Sequence, residues 1–227
     1  VGYAALSTED GHGRNTAIGH ETLKTLNAGA DAYNVAVGYA AGEVMSTGVN
    51  NVTIGGFAGD ALTTGGYNVA VGYAALSTED GHGRNTAIGQ AALSTLNAGA
   101  DGNNVAVGYN SGYAMTTGRY NVLMGSEAGD ALTTGARNTA IGYAALSTED
   151  AFGYNVAIGS GSLAALNAGG DGYNVAVGND TGAAMTTGIR NTIMGAHAGD
   201  ALTTGSNNVA VGYQALSTED GKGRNVA

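Results

Sequence analysis

A chain of 227 residues with 41 glycines, no proline, no cysteine and a formal net charge of −10 excludes a disulfide framework and a cysteine-ligated metal site. Eight Lys+Arg against 18 Asp+Glu argue against a phosphate backbone or an anionic membrane surface as partner. No apolar run approaches the ~18 residues of a spanning helix, and no signal peptide is visible.

From the first residues onward the chain is built on the pentad Asn-[Val/Thr]-x-[Val/Ile/Met]-Gly. Val1-Gly2 is the tail of one copy, and the asparagines that lead the others are Asn15, Asn34, Asn51, Asn68, Asn85, Asn104, Asn121, Asn138, Asn155, Asn174, Asn191, Asn208 and, incompletely, Asn225. Each full pentad closes on a glycine: Gly19, Gly38, Gly55, Gly72, Gly89, Gly108, Gly125, Gly142, Gly159, Gly178, Gly195 and Gly212. The asparagine positions advance by 17, 19, 17 and 17 in a recurring order, a super-repeat of 70 in which residues 71–89 repeat residues 1–19 letter for letter. Periods this short predict stacked coils, none able to bury its apolar side without a neighbour. The expected fold is all-β, a parallel β-solenoid of about 13 coils on this count, running as one continuous array over residues 1–227. Beginning and ending in mid-repeat, the chain reads as a window cut from something longer.

Within the coil Asn68 to Arg84 the pentad alternates as a strand does, with Val69 and Val71 on one side and Ala70 on the other. The valines are expected to fill the roll. Alanine holds the third place in ten of thirteen copies, and Thr53, Leu123 and Ile193, each one super-repeat from the next, mark coils with a roomier neighbour. An outward alanine row would suit close approach by a second copy. After the glycine a second short strand is expected at ALTTG, AMTTG, TLNAG or ALNAG, with ALSTED in the fourth coil type. The two extra residues of the longer coils fall near Ala30-Asp31, Ala100-Asp101 and Gly170-Asp171, where loops should protrude.

The residue before each asparagine is planar: Arg14, Tyr33, Asn50, Tyr67, Arg84, Asn103, Tyr120, Arg137, Tyr154, Tyr173, Arg190, Asn207 and Arg224. Coils stacked about 4.8 Å apart would lay Arg on Tyr in cation–π pairs. The acidic turns Glu9-Asp10, Glu79-Asp80, Glu149-Asp150 and Glu219-Asp220 recur only once in four coils.

Repetition tests each candidate site internally. His12 and His82 give way to Phe152 and Lys222, His20 to Gln90 and Ser160, and His197 to Phe57 and Glu127. No histidine has a second ligand at metal spacing, so no catalytic, cofactor or metal residue is expected. The acidic turns lack a calcium-loop pattern. Thr63-Thr64, Thr116-Thr117 and Thr133-Thr134 would supply only half of an ice-binding ladder. Gly11 to Gly13 and Gly81 to Gly83 lack the strand-to-helix context of a nucleotide loop. Asn51-Val52-Thr53, a formal glycosylation acceptor, lies in a strand.

The pentads NTAIG and NVAVG, followed by YxAL and a TTG-type turn, resemble head repeats of trimeric autotransporter adhesins, the YadA-like left-handed β-roll. They are equally similar to repeats of bacteriophage tail and side fibres. The likeness covers essentially the whole chain, which departs from the adhesin pattern in its longer coils and in Asn-Val or Asn-Thr where Asn-Ser is frequent. It implies a parallel homotrimer, the alanine face towards partner chains, with no enzymatic role and no cofactor. The function expected on that basis is a fibre-forming segment, extracellular, at a cell surface or virion tail, that spaces or presents an attachment tip. Contact with a host-cell or surface receptor would lie outside this segment, which has no membrane or nucleic-acid partner of its own. The alternatives are a phage tail-fibre shaft and, further off, an ice-binding solenoid or a glycan-degrading tailspike, the last needing a carboxylate cluster on one face.

Overall fold

A computed structural model describes residues 1–10, 13–79, 81–149, 151–218 and 220–227, in two compact units, Val1–Thr117 and Gly118–Ala227. The first holds β1 (Thr16–Ile18), β2 (Val35–Val37), β3 (Val52–Ile54), β4 (Val69–Val71), β5 (Thr86–Ile88) and β6 (Val105–Val107). The second holds β7 (Val122–Met124), β8 (Thr139–Ile141), β9 (Val156–Ile158), β10 (Val175–Val177), β11 (Thr192–Met194) and β12 (Val209–Val211). Within each unit every strand pairs in parallel with the next in sequence. Register never slips: Val69 faces Thr86, Ala70 faces Ala87 and Val71 faces Ile88. Val226, in the incomplete last pentad, bridges to Val209. The fold is an all-β parallel solenoid, as the period requires.

Each coil carries one strand, not two. Among the described residues the ALTTG-type stretches are turns and bends. Their coil-to-coil bonds converge instead of running as a ladder: the N–H groups of Ser46, Thr47 and Gly48 all donate to the Thr63 carbonyl, at 2.9, 3.2 and 3.2 Å.

The two sides of the strand are the reverse of the sequence expectation. Ala36, Ala70, Ala87, Ala106, Ala140, Ala157, Ala176 and Ala210 are all fully buried. The Val, Thr, Ile and Met residues on either side of them are half-buried or exposed. Alanine faces in because the opposite wall brings the bulk. In the coil from Asn85, Ala87 shares the interior with Ala92, Leu93 and Leu96, all buried. A coil this thin has room for one large side chain from either wall at that level.

Coils with a large third residue confirm this volume rule. A Cβ on Gly59 would lie 2.8 Å from Thr53 Cγ2, one on Gly129 2.8 Å from Leu123 Cδ2, and one on Gly199 3.1 Å from Ile193 Cδ1. Where the third place is alanine, the place of those glycines is often leucine, as at Leu76, Leu93, Leu146 and Leu163. The backbone there is left-handed in both cases, φ being 52° at Leu76, 50° at Leu93 and 56° at Gly59. A left-handed L-residue costs about 1–2 kcal/mol, and burying a leucine returns about 1.5–3 kcal/mol. Leucine is therefore tolerated wherever it fills the coil, and glycine serves where the space is already taken, by the strand residue at Gly59, Gly129 and Gly199 or by a leucine of the coil before at Gly42 and Gly182, where a Cβ would lie 2.9 Å from Leu23 and Leu163.

Asparagine and glycine fix the strand's two ends. The Asn51 N–H donates to Asn34 Oδ1 at 2.8 Å, and Asn68 N–H to Asn51 Oδ1 at 2.9 Å. Asn51 Nδ2 donates to the Gly65 carbonyl at 2.8 Å. The buried Asn51 amide thus satisfies one backbone donor of the following coil and one carbonyl of its own. Removing it would strand two groups at about 1–3 kcal/mol each. The pentad glycines lie at φ between +127° and +141° for Gly195 and Gly19, a region open essentially to glycine alone. A Cβ on Gly72 would also sit 2.4 Å from the Gly89 carbonyl oxygen.

Candidate functional site

The feature that each unit offers to its surroundings is the outer side of its sheet. Two columns of side chains stand on it, one of Val and Thr and one of Val, Ile and Met. Ile54, Ile88, Met124 and Met194 are 37, 39, 41 and 43 % exposed. Because register is kept at every step within a unit, the columns run without interruption along each unit. Among the described residues the units contain no pocket and no group of three metal-binding side chains. No helix is long and apolar enough to cross a membrane.

All 12 tyrosines are exposed, and most flank this face in two columns. Before the strand lies the planar ladder. Arg14 Cζ is 5.5 Å from the Tyr33 ring centre, and Arg137 lies 5.5 Å from Tyr120 and 5.3 Å from Tyr154. The expected cation–π stacking is thus present at these steps. Beyond the strand Tyr3, His20 and Tyr39 stack at 5.0 and 5.4 Å, and Phe57 meets Tyr39 and Tyr73 edge-on at 5.1 and 5.9 Å. In the stacked part of this column the ring faces are turned towards one another, which leaves only edges for a ligand.

The acidic turns hold a glutamate inside the coil. Glu79 and Glu149 are completely buried, in the interior place that Leu26, Met45, Leu62 and Leu96 take in other coils. Glu79 Oε2 accepts the Ala98 N–H at 3.3 Å and Oε1 the His82 N–H at 3.2 Å. Glu149 does the same with Ala168 at 3.3 Å and Phe152 at 3.4 Å. Ala98 and Ala168 open the inserts of the longer coils, so the carboxylate anchors the insert's inner end. Outside, Arg14 pairs with Asp31 at 2.9 Å and Arg84 with Asp101 at 3.1 Å. The signal for this was the fixed order of the super-repeat, in which the longer coil always follows STED. The insert displaces the usual acceptor of the asparagine amide, and Asn85 Nδ2 and Asn155 Nδ2 are buried without a hydrogen-bond partner.

The other candidates stand apart from one another. His20, His82 and His197 each face a single carboxylate, Glu21, Glu79 and Asp200, at 3.6, 3.6 and 3.9 Å. Thr64, Thr134 and Thr203 donate their hydroxyls to carbonyls of the next coil, which removes them from an outward ladder. Asn51 is buried, so its glycosylation motif is closed in the folded chain. The insert tips at Gly29, Ala30 and Asp31 are exposed or half-exposed, as expected. Gly11, His12, Asp80, Asp150 and Glu219 lie outside the described residues.

Asp60, Asp130 and Asp200 hold one place in successive super-repeats, each with Oδ1 buried and unpartnered. Burial pushes the carboxyls of Asp60 and Asp130 above their usual range, with Glu43 and Glu127 adding like-charge repulsion. The folded state therefore holds these protons more tightly than the unfolded state does. Their contribution to stability is greatest in acid and is lost as pH rises through the raised values. The double variant Asp60→Asn, Asp130→Asn should show a weaker gain in melting temperature on acidification than the parent. Melts across the acid range check this, and parallel curves for the two proteins would contradict it.

No family model, curated protein or solved structure matches the chain.

Proposed function

We propose that the chain is a non-enzymatic, extracellular fibre segment, associating with parallel copies of itself as a homotrimer and spacing an attachment tip that lies elsewhere. The observation that carries this is the outer side of each sheet, where a column of Val, Ile and Met runs without a polar residue beside a column of Val and Thr. Six three-residue strands about 4.8 Å apart make a face of about 300 Å² per unit, the size of the largest apolar patch on an ordinary monomer, which is often functional. A second copy is the occupant that fits, because its own face has the same polarity and coil spacing. A core one side chain deep gains from such association. The resemblance of the pentads to adhesin and phage-fibre repeats supports the setting, a bacterial surface or a virion tail.

The contact assigned here is the Val/Ile/Met face, the alanines being used inside the coil. Val71→Lys with Val177→Lys places one charge on that face in each unit, with stems long enough to keep the ammonium in water when the chain is alone. The parent should sediment as a trimer and the variant as a folded monomer with an unchanged β-type circular-dichroism spectrum. A monomeric parent, or a variant that assembles as the parent does, overturns the reading.

A further inference from the structure

Tyr154 and Tyr173 hold the place before the asparagine in two successive coils, and their rings stack with centroids 4.9 Å apart and planes at 22°. Both are open to solvent, at 37 and 50 % exposure. One super-repeat earlier the same two places hold Arg84 and Asn103, and two super-repeats earlier Arg14 and Tyr33. Arg14 and Arg84 reach the insert aspartates Asp31 and Asp101, whereas Tyr154 has no charge to offer Asp171. The third junction has exchanged an ion pair for a ring pair. Arg137 packs on Tyr154 at 5.3 Å and its Nη1 donates to the phenol oxygen at 2.9 Å, which fixes that ring opposite Tyr173. Elsewhere in the two columns at least one residue of another type, Arg, Asn, His, Gln or Ser among them, separates the tyrosines. Among the described residues this is the one contact between two tyrosine rings.

We propose that Tyr154 and Tyr173 form an oxidative cross-linking site, at which a haem-peroxidase-type oxidant with hydrogen peroxide joins the rings as dityrosine and staples two coils together. Each phenol gives up one electron and its proton. The two radicals, delocalised onto the ring carbons beside the oxygen, couple through a new Cε–Cε bond. The hydrogens on those carbons then move to the oxygens and restore both phenols. The peroxide takes up the two electrons and two protons and leaves as two waters. Coupling within a held pair needs no encounter between chains, so its rate does not depend on protein concentration. With no tryptophan or cysteine in the chain, the competing oxidisable groups are the methionines, which gain oxygen where tyrosine coupling loses hydrogen, and the ten other exposed tyrosines, none of which stacks on a second tyrosine ring among the described residues.

The test uses the full chain, dilute, with a haem peroxidase and limiting hydrogen peroxide. The expected product is a single-chain species carrying dityrosine fluorescence, whose digest contains the Tyr154 and Tyr173 peptides joined with the loss of two hydrogens. Tyr154→Phe and Tyr173→Phe keep the ring stack and should each abolish that product, and Tyr67→Phe should leave it intact. The proposal is overturned if the joined peptide is absent, if fluorescence is unchanged in Tyr173→Phe, or if bonds form only between chains with a yield that rises with concentration.

Discussion

Replacing Ala70, Ala140 and Ala210 together by glutamate should leave the chain unable to fold, with a disordered circular-dichroism spectrum and aggregation on concentration. All three are fully buried and face the inside of a coil, and among the described residues no Lys, Arg or His is buried to pair with a carboxylate. The effective penalty of a buried, unpaired ion is several kcal/mol, and three together rival or exceed the roughly 5–15 kcal/mol by which a domain is stable. An outward alanine row would give a different result, a folded coil that fails to associate, so sedimentation and circular dichroism together separate the two. A milder pair of variants tests the volume rule itself. Ala140→Leu alone overpacks the coil and should cost about 1–3 kcal/mol. Adding Leu146→Gly recreates the arrangement of Leu123 with Gly129, in which the glycine leaves only 2.8 Å between its missing Cβ and the leucine. The double variant should recover most of the loss, and failure to do so would show that the two places do not share one space.

What the sequence made legible follows from period. A short repeat that recurs in a fixed order specifies a parallel stack in register, and the pentad's asparagine and glycine are the residues whose chemistry such a stack needs at the strand's ends. The inside of the coil was not legible from strand alternation. Period two tells which residues share a side, and it names the inner side only when one set is polar. Here both Val69 and Ala70 are apolar, and size had to decide. The deciding clue lies outside the strand, in the exchange of leucine for glycine at Leu76 and Gly59 when the third residue changes from Ala70 to Thr53. Glu79 was hidden for the converse reason. A carboxylate in a turn reads as solvated, and its burial shows only when STED is linked to the insert that follows it. The exposed Val/Ile/Met face, the candidate site, was read as core for the same lack of a polar marker.

Deleting residues 85–154 should yield a chain that folds and melts cooperatively. The deletion removes one whole super-repeat and joins Arg84 to Asn155. The coil of β4 then precedes the coil of β9, as it now precedes the closely similar coil of β5. Each bond that crosses the join has a native counterpart. Asn155 N–H meets Asn68 Oδ1 as Asn85 N–H does at 3.0 Å, and Ala168 N–H meets Glu79 as Ala98 N–H does at 3.3 Å. Removing residues 85–145 instead is out of phase, because the stretch from Leu146 to Tyr154 stays between Arg84 and Asn155 and is too short to make a coil. The asparagine ladder is then cut at the join. That chain should fail to fold there, and equal melting of the two variants would overturn the stacking argument. The same in-phase deletion tests the proposed role as a fibre spacer. A spacer loses four coils and keeps its attachment. Loss of attachment from a variant that still folds and assembles would place the ligand site within these coils, and the insert at Asp101, which the deletion removes, would be the first place to substitute.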